Sequence, residues 1–138
     1  MPLFDHLSVS VNDVPRAIAR FDPIFTALGL DRTDARDGAS WYKDGETEFI
    51  VRLAREPGAH RHGAVGWQHL ALAVASREDV ERLHAIATEA GWAVVRDPKP
   101  YPRFSDRYFA SFVEDDNGIR VEFVYNPEPT DQETVRTV

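Results

Sequence analysis

FDHLSVSVNDVPRAIARF, residues 4–21, and WQHLALAVASREDVERLH, residues 67–84, present the same features in the same order. Each opens with an aromatic residue, a polar residue and His-Leu, at Phe4-Asp5-His6-Leu7 and at Trp67-Gln68-His69-Leu70. Each continues as an alternating strand, a capping region and an amphipathic helix. The helices close alike, at Ala27-Leu28-Gly29-Leu30 and Glu89-Ala90-Gly91-Trp92, with one residue of slippage. Such an extended match in the order of elements marks a duplicated structural unit.

In the first copy, Leu7, Val9 and Val11 fall on one face of a strand and His6, Ser8 and Ser10 on the other. Asp13 can cap a helix with Pro15 in its first turn, and Gly29 suits its end. Val14, Ala17, Ile18, Phe21, Phe25 and Leu28 form the apolar stripe. Pro23 lies inside this stretch and is expected to kink or interrupt it. Strands follow near 31–36, 39–43 and 47–54, with Asp44-Gly45 as a hairpin turn.

The second copy begins after a loop rich in Gly, Pro and His, residues 56–66. Residues 68–74 alternate, with Leu70, Leu72 and Val74 on one face. Ser76 and Asp79 resemble a capping box, Val80, Leu83, Ala87 and Ala90 line a helix, and Gly91 ends it. Strands are expected near 93–97, 107–114 and 119–126, the last two joined by a turn at Asp115-Asp116-Asn117-Gly118.

These readings give an α+β fold of two βαβββ modules within a single domain, residues 1–126. Module one covers about 3–55 and module two about 66–126; the polar tail, 127–138, is expected to fray. A helix covers one face of each sheet. The bare faces are expected to curl into a half-barrel around a cleft, lined by His6, Ser8 and Ser10 and by His69, Ala71 and Ala73. Small residues beside each His leave room for a ligand.

Composition narrows the chemistry. A hydrophobic share of 43% and a charged share of 28% fit an ordinary globular protein. Cysteine is absent, which removes disulfides, thiolate nucleophiles and sulfur-rich zinc sites. The N-terminus lacks the basic and apolar regions of a signal peptide, and no apolar run reaches membrane-spanning length, so a cytoplasmic protein is expected. A formal charge of −7 argues against nucleic acid or an anionic membrane as partner. No phosphate-binding Gly-rich loop, nucleophile elbow or zinc-protease helix motif occurs.

Imidazole and carboxylate remain. In Arg120-Val121-Glu122-Phe123-Val124-Tyr125, Val121, Phe123 and Tyr125 read as the helix-packed face, which turns Glu122 to the same side as the histidines. A carboxylate among strand hydrophobics is costly to bury without a cation or hydrogen bonds. Taken singly, a strand His is more often a hydrogen-bonded structural residue, and a strand Glu is usually solvated. The equivalent repeat positions of His6 and His69, with the matching parity of Glu122, favour a shared role as ligands of one divalent metal ion.

The paired FDHLSVSV and WQHLALAV strands, the closing EDDNGIRVEFVY segment and the two-module layout resemble the vicinal oxygen chelate superfamily. Its members include glyoxalase I, extradiol dioxygenases, methylmalonyl-CoA epimerase, and the fosfomycin- and bleomycin-resistance proteins. The resemblance runs from about Leu3 to Tyr125 and implies that His6, His69 and Glu122 occupy the three metal positions. It implies Zn, Ni, Mn or Fe(II) as the metal, a small oxygen-chelating substrate, and a homodimer. Glyoxalase I-like members add a fourth ligand, a Glu, from the last strand of the first module. Here the matching position falls on Val51 or Arg52, with Arg52 preferred by parity, so a four-ligand site is not expected.

Further polar candidates are Arg52, Tyr101 and Arg103 for substrate binding, and Tyr108, with Glu122, for catalysis. Lys99 to Asp106 reads as a long loop before the seventh strand, a common place for substrate contacts; packing of its aromatics against the sheet edge is the plainer alternative. His60 and His62 read as solvated or as part of a lid, and His84 as packing or solvent. Trp41, Tyr42, Trp67 and Trp92 read as core or interface aromatics. Two functions compete. One is a metal-dependent lyase, isomerase or ring-cleaving dioxygenase; the other is a non-catalytic protein sequestering a small molecule or drug, as in the bleomycin-resistance branch.

Overall fold

The computed structural model describes residues 2–128; the expected frayed tail lies, beyond Glu128, outside the described residues. The chain forms two compact units, one of residues 1–60 and one from residue 61 onward.

The first unit holds β1 (His6–Val11), α1 (Val14–Ala27), β2 (Asp31–Ala35), β3 (Gly38–Tyr42) and β4 (Glu48–Leu53). Its sheet order is β1-β4-β3-β2, with β1 parallel to β4 and the other pairs antiparallel. Asp13 caps α1 by accepting a hydrogen bond from the Arg16 amide at 3.0 Å. At the expected hairpin, Glu46 N–H donates to the Lys43 carbonyl and Gly45 takes φ 86°, a value glycine adopts without steric cost.

Contrary to expectation, α1 runs through Pro23 without interruption. Proline removes one amide donor, but the residues around it anchor both sides of the lesion. Phe21, Ile24 and Phe25 are buried. Phe21 and Phe25 lie 5.0 and 4.8 Å, centroid to centroid, from Phe49, and Phe25 lies 5.4 Å from Trp41. Burial of each large side chain contributes about 1.5–3 kcal/mol, which outweighs one lost helical hydrogen bond. Asp22 adds a polar tie: its Oδ1 accepts from Trp41 Nε1 at 2.9 Å, and its Oδ2 lies 3.0 Å from Arg32 Nη1. Ile24 was absent from the expected stripe and takes the core place assigned to Leu28, which is only half-buried.

The second unit repeats the plan with β5 (Leu70–Ala73), α2 (Arg77–Glu89), β6 (Ala93–Pro100), β7 (Phe109–Glu114) and β8 (Arg120–Tyr125), in the order β5-β8-β7-β6. Ser76 Oγ accepts from the Asp79 amide at 3.1 Å, as the capping reading requires. Val80, Leu83 and Ala87 of α2 pack on the sheet, where Val113, Val121 and Phe123 are fully buried. The turn into β8 is held by Asp115, whose Oδ1 accepts from the amides of Asn117 (2.9 Å) and Ile119 (2.8 Å). Burial pushes the Asp115 carboxyl above its ordinary value, although the hydrogen bonds from Asn117 and Ile119 pull it down. The α+β class and the doubled strand–helix–three-strand plan are as the repeat predicts.

Two expectations about strands need correction. β6 extends to Pro100, so Lys99 and Pro100 belong to a strand and the connecting loop starts at Tyr101. His69 stands one residue before β5 rather than within it. Trp41 and Trp92 are core residues, whereas Tyr42 and Trp67 are exposed.

Candidate functional site

The second unit gathers polar chemistry on the sheet face opposite α2. In the β7–β8 register Phe112 stands beside Glu122, and in the β5–β8 register Ala71 does. Strand alternation therefore turns Glu122 away from the helix while Val121 and Phe123 pack beneath it. Glu122 is only 2% exposed, and both its oxygens are engaged. Oε1 lies 2.8 Å from His69 Nε2, and Oε2 accepts a short hydrogen bond from the Tyr108 hydroxyl. The His69 ring meets Phe112 edge-on at 5.5 Å. Thus His69 and Glu122, expected from sequence as ligands together with His6, come together with Tyr108, expected beside Glu122 for catalysis.

The hydrogen bond on the other imidazole nitrogen gives the pair its meaning. His69 Nδ1 lies 3.0 Å from Gln68 Oε1, and in the tautomer that donates to that oxygen Nε2 of the neutral ring is an acceptor. That acceptor faces a carboxylate oxygen, which is also an acceptor. In that tautomer a cation or a second proton on the ring satisfies the contact; in the other, Nε2–H donates directly to Glu122. A nitrogen and an oxygen donor so disposed fit a divalent metal of borderline character, and the Gln68 contact is the usual outer support of a ligating histidine. Among the described residues, no group of three or more His, Asp or Glu side chains stands together as a metal site.

The first unit repeats the support. His6 Nδ1 lies 2.6 Å from Asp5 Oδ1, in the place that Gln68 takes beside His69. Donation to Asp5 again frees Nε2 for a ligand. In both modules, then, the residue preceding the histidine orients it. His6 is half exposed, with 54% of its side chain accessible, and pairs in register with Glu48.

The register also corrects the expected place of a fourth ligand. Glu122 stands opposite Ala71, two residues after His69. The residue opposite Ser8, two after His6, is Ile50, not Val51 or Arg52. Val51 is completely buried toward the core, and Arg52 pairs with Ser10 farther along the strand. An isoleucine offers no donor, so the conclusion that β4 supplies no equivalent carboxylate stands on a different residue.

Around the Glu122 pair lies an aromatic cluster that hydropathy alone did not reveal. Tyr101 stacks on Phe104 at 5.9 Å and meets Tyr108 and Phe112 edge-on at 5.9 and 6.0 Å. Burial, reinforced by the charge of Glu122 and partly offset by Arg96, pushes the Tyr101 hydroxyl above its ordinary value. Arg103 is exposed and lies over the Phe104 ring at 4.9 Å, outside the hydrogen-bonded group at Glu122. Arg52 is exposed in the first unit. His84, on α2, has its Nε2 3.5 Å from Asp97 Oδ1.

Comparison with known proteins agrees with this architecture. Residues 3–123 match the model of the Glyoxalase/Bleomycin resistance protein/Dioxygenase superfamily. An uncharacterized protein of Bacillus subtilis, YqjT, is 36% identical over 124 residues, covering 86% of this chain and 95% of its own. The crystal structure of a glyoxalase/bleomycin resistance protein from Albidiferax ferrireducens superposes with a TM-score of 0.76 at 20% identity, covering 91% of this chain and 100% of its own. The fosfomycin resistance protein FosX of Mesorhizobium loti gives 0.68 at 16% identity, covering 92% and 94%. At these identities the two structures speak for the fold alone. Among the described residues, no helix is long and apolar enough to cross a membrane.

Proposed function

Since the chain belongs to the Glyoxalase/Bleomycin resistance protein/Dioxygenase superfamily, we propose that it is a metal-dependent enzyme acting on a small oxygen-chelating substrate. His6, His69 and Glu122 would hold one divalent ion. The observation that carries this reading is the 2.8 Å approach of His69 Nε2 to the buried Glu122 Oε1, with Gln68 on the far side of the ring. His6 supports it by occupying the equivalent repeat position with equivalent support from Asp5.

When bound, such an ion supplies Lewis acidity toward oxygens of the substrate. The protein's own groups set the rest. Gln68 and Asp5 fix the ring orientations of His69 and His6. Tyr108 holds Oε2 of Glu122, so that Oε1, the oxygen facing His69, would be the one to meet the ion, and it gives the site a proton at a defined atom. Arg52 and Arg103 are proposed to meet the substrate's outer polar groups, as cations on exposed surface. Lyase, isomerase and ring-cleaving dioxygenase chemistry share this arrangement.

Elemental analysis of protein purified without chelator, followed by titration of the apoprotein with Zn(II), Ni(II), Mn(II) and Fe(II), tests the proposal. One ion per chain is expected, and loss of it in His6→Ala and in His69→Ala. Metal content unchanged in both variants overturns the assignment. Failure of every metal to bind wild-type protein favours sequestration of a small molecule without catalysis.

A further inference from the structure

We propose that the Tyr101 hydroxyl is a substrate-recognition donor, reserved for an oxygen acceptor on a ligand whose planar apolar part lies against the Tyr101–Phe104–Phe112 aromatic group. The inference deepens the metal-enzyme reading and rests on it for the location of the substrate, but not for the role of the hydroxyl. Its basis is an imbalance. The hydroxyl oxygen of Tyr101 is buried and has no hydrogen-bond partner among the described residues. Leaving a buried hydroxyl unpaired costs about 1–3 kcal/mol, and phenylalanine would fill the same space without that cost. Tyr108, close by, shows the ordinary outcome: its hydroxyl donates to Glu122.

The surroundings say what would complete the bond. The ring is bracketed by Phe104, Tyr108 and Phe112, and none of the described residues accepts from its hydroxyl. The Tyr101 ring meets Tyr108, whose hydroxyl donates to Glu122, and Phe112, which stands beside Glu122 in the β7–β8 register. Burial keeps its proton on at neutral pH, so it acts as a donor rather than an anion. Its complement is a carbonyl, carboxylate or phenolate oxygen. The aromatic walls select a flat apolar neighbour to that oxygen through ring packing. A site built to hydrogen-bond an oxygen discriminates strongly against analogues that lack it.

Tropolone, a planar ring bearing two adjacent oxygens, serves as the probe, with wild-type protein and Tyr101→Phe compared at neutral pH. Metal content, tropolone affinity by absorbance titration, and thermal unfolding are measured on each. Tyr101→Phe is expected to keep wild-type metal content, to unfold at the same or a higher temperature, and to bind tropolone about tenfold more weakly, as for one lost hydrogen bond. Equal affinity in the two proteins, or no binding to either, overturns the proposal. So does a lower unfolding temperature in the variant, because the hydroxyl then has a partner inside the protein. If wild-type protein takes up no metal, the enzyme reading fails on its own; the same titration on metal-free protein still decides the hydroxyl, a weaker affinity in Tyr101→Phe supporting it and an equal one refuting it.

Discussion

Tyr108 and Glu122 are joined by a short hydrogen bond from the phenol to Oε2, while the other carboxylate oxygen turns to His69. The bond makes Tyr108 a positioning residue for Glu122 before any substrate arrives. It resolves how a carboxylate only 2% exposed is tolerated above an apolar sheet: each oxygen has a polar neighbour.

Tyr108→Phe should therefore weaken metal binding without abolishing it. Outer-sphere partners of ligands are worth about 10–100-fold in affinity. Competition titration with a chromophoric chelator measures the change. An affinity equal to wild type would show that Glu122 holds its orientation without the phenol.

Glu122→Gln separates charge from shape. The amide keeps the volume of the carboxylate but presents one acceptor instead of two. Metal binding should fall by at least the tenfold expected for a first-sphere carboxylate, with the far-ultraviolet circular dichroism of the fold retained. Retention of full affinity would remove Glu122 from the ligand set.

Asp22→Ala tests the tie across the helix of the first unit. It leaves the indole N–H of Trp41, a residue with no exposed surface, without its acceptor, and strips Arg32 of one carboxylate partner. Loss of about 1–3 kcal/mol is expected in urea unfolding. Asp22→Asn, which retains an acceptor for the indole, should recover part of it.

Asp115 predicts a pH dependence of stability. Its folded value lies above the ordinary 3.8, so the folded state disfavours the charged form. The folded chain then binds more protons than the unfolded one between 3.8 and the raised value, and in that window this group's contribution falls as pH rises. Asp115→Asn should flatten that part of the stability profile. It also costs about 1 kcal/mol at neutral pH, because the amide cannot accept from both Asn117 Nδ2 and the two amides as the carboxylate does. An unchanged profile in the variant would assign the slope to other groups.

Gly38 faces a steric limit rather than a conformational one. A Cβ there would run into the backbone carbonyl of Val51 on the paired strand β4. Gly38→Ala should lower the unfolding temperature by several degrees, since neither backbone can yield without breaking the ladder.

The chain's own pattern determined the doubled strand–helix–three-strand plan, because alternation and helical periodicity are local and recur in both copies. It also determined the common face of His69 and Glu122, which follows from parity alone. Tertiary structure decided the rest. Pro23 reads as a break in isolation, and only the packing of Phe21 and Phe25 on Phe49 keeps the helix whole. The fourth-ligand position moved from Arg52 to Ile50 because register depends on which residues of β1 and β4 pair, and parity cannot count that shift. The engagement of Tyr108 with Glu122, and the Tyr101 hydroxyl without a partner among the described residues, depend on where a loop places side chains distant in sequence from their neighbours. No local period encodes such distances.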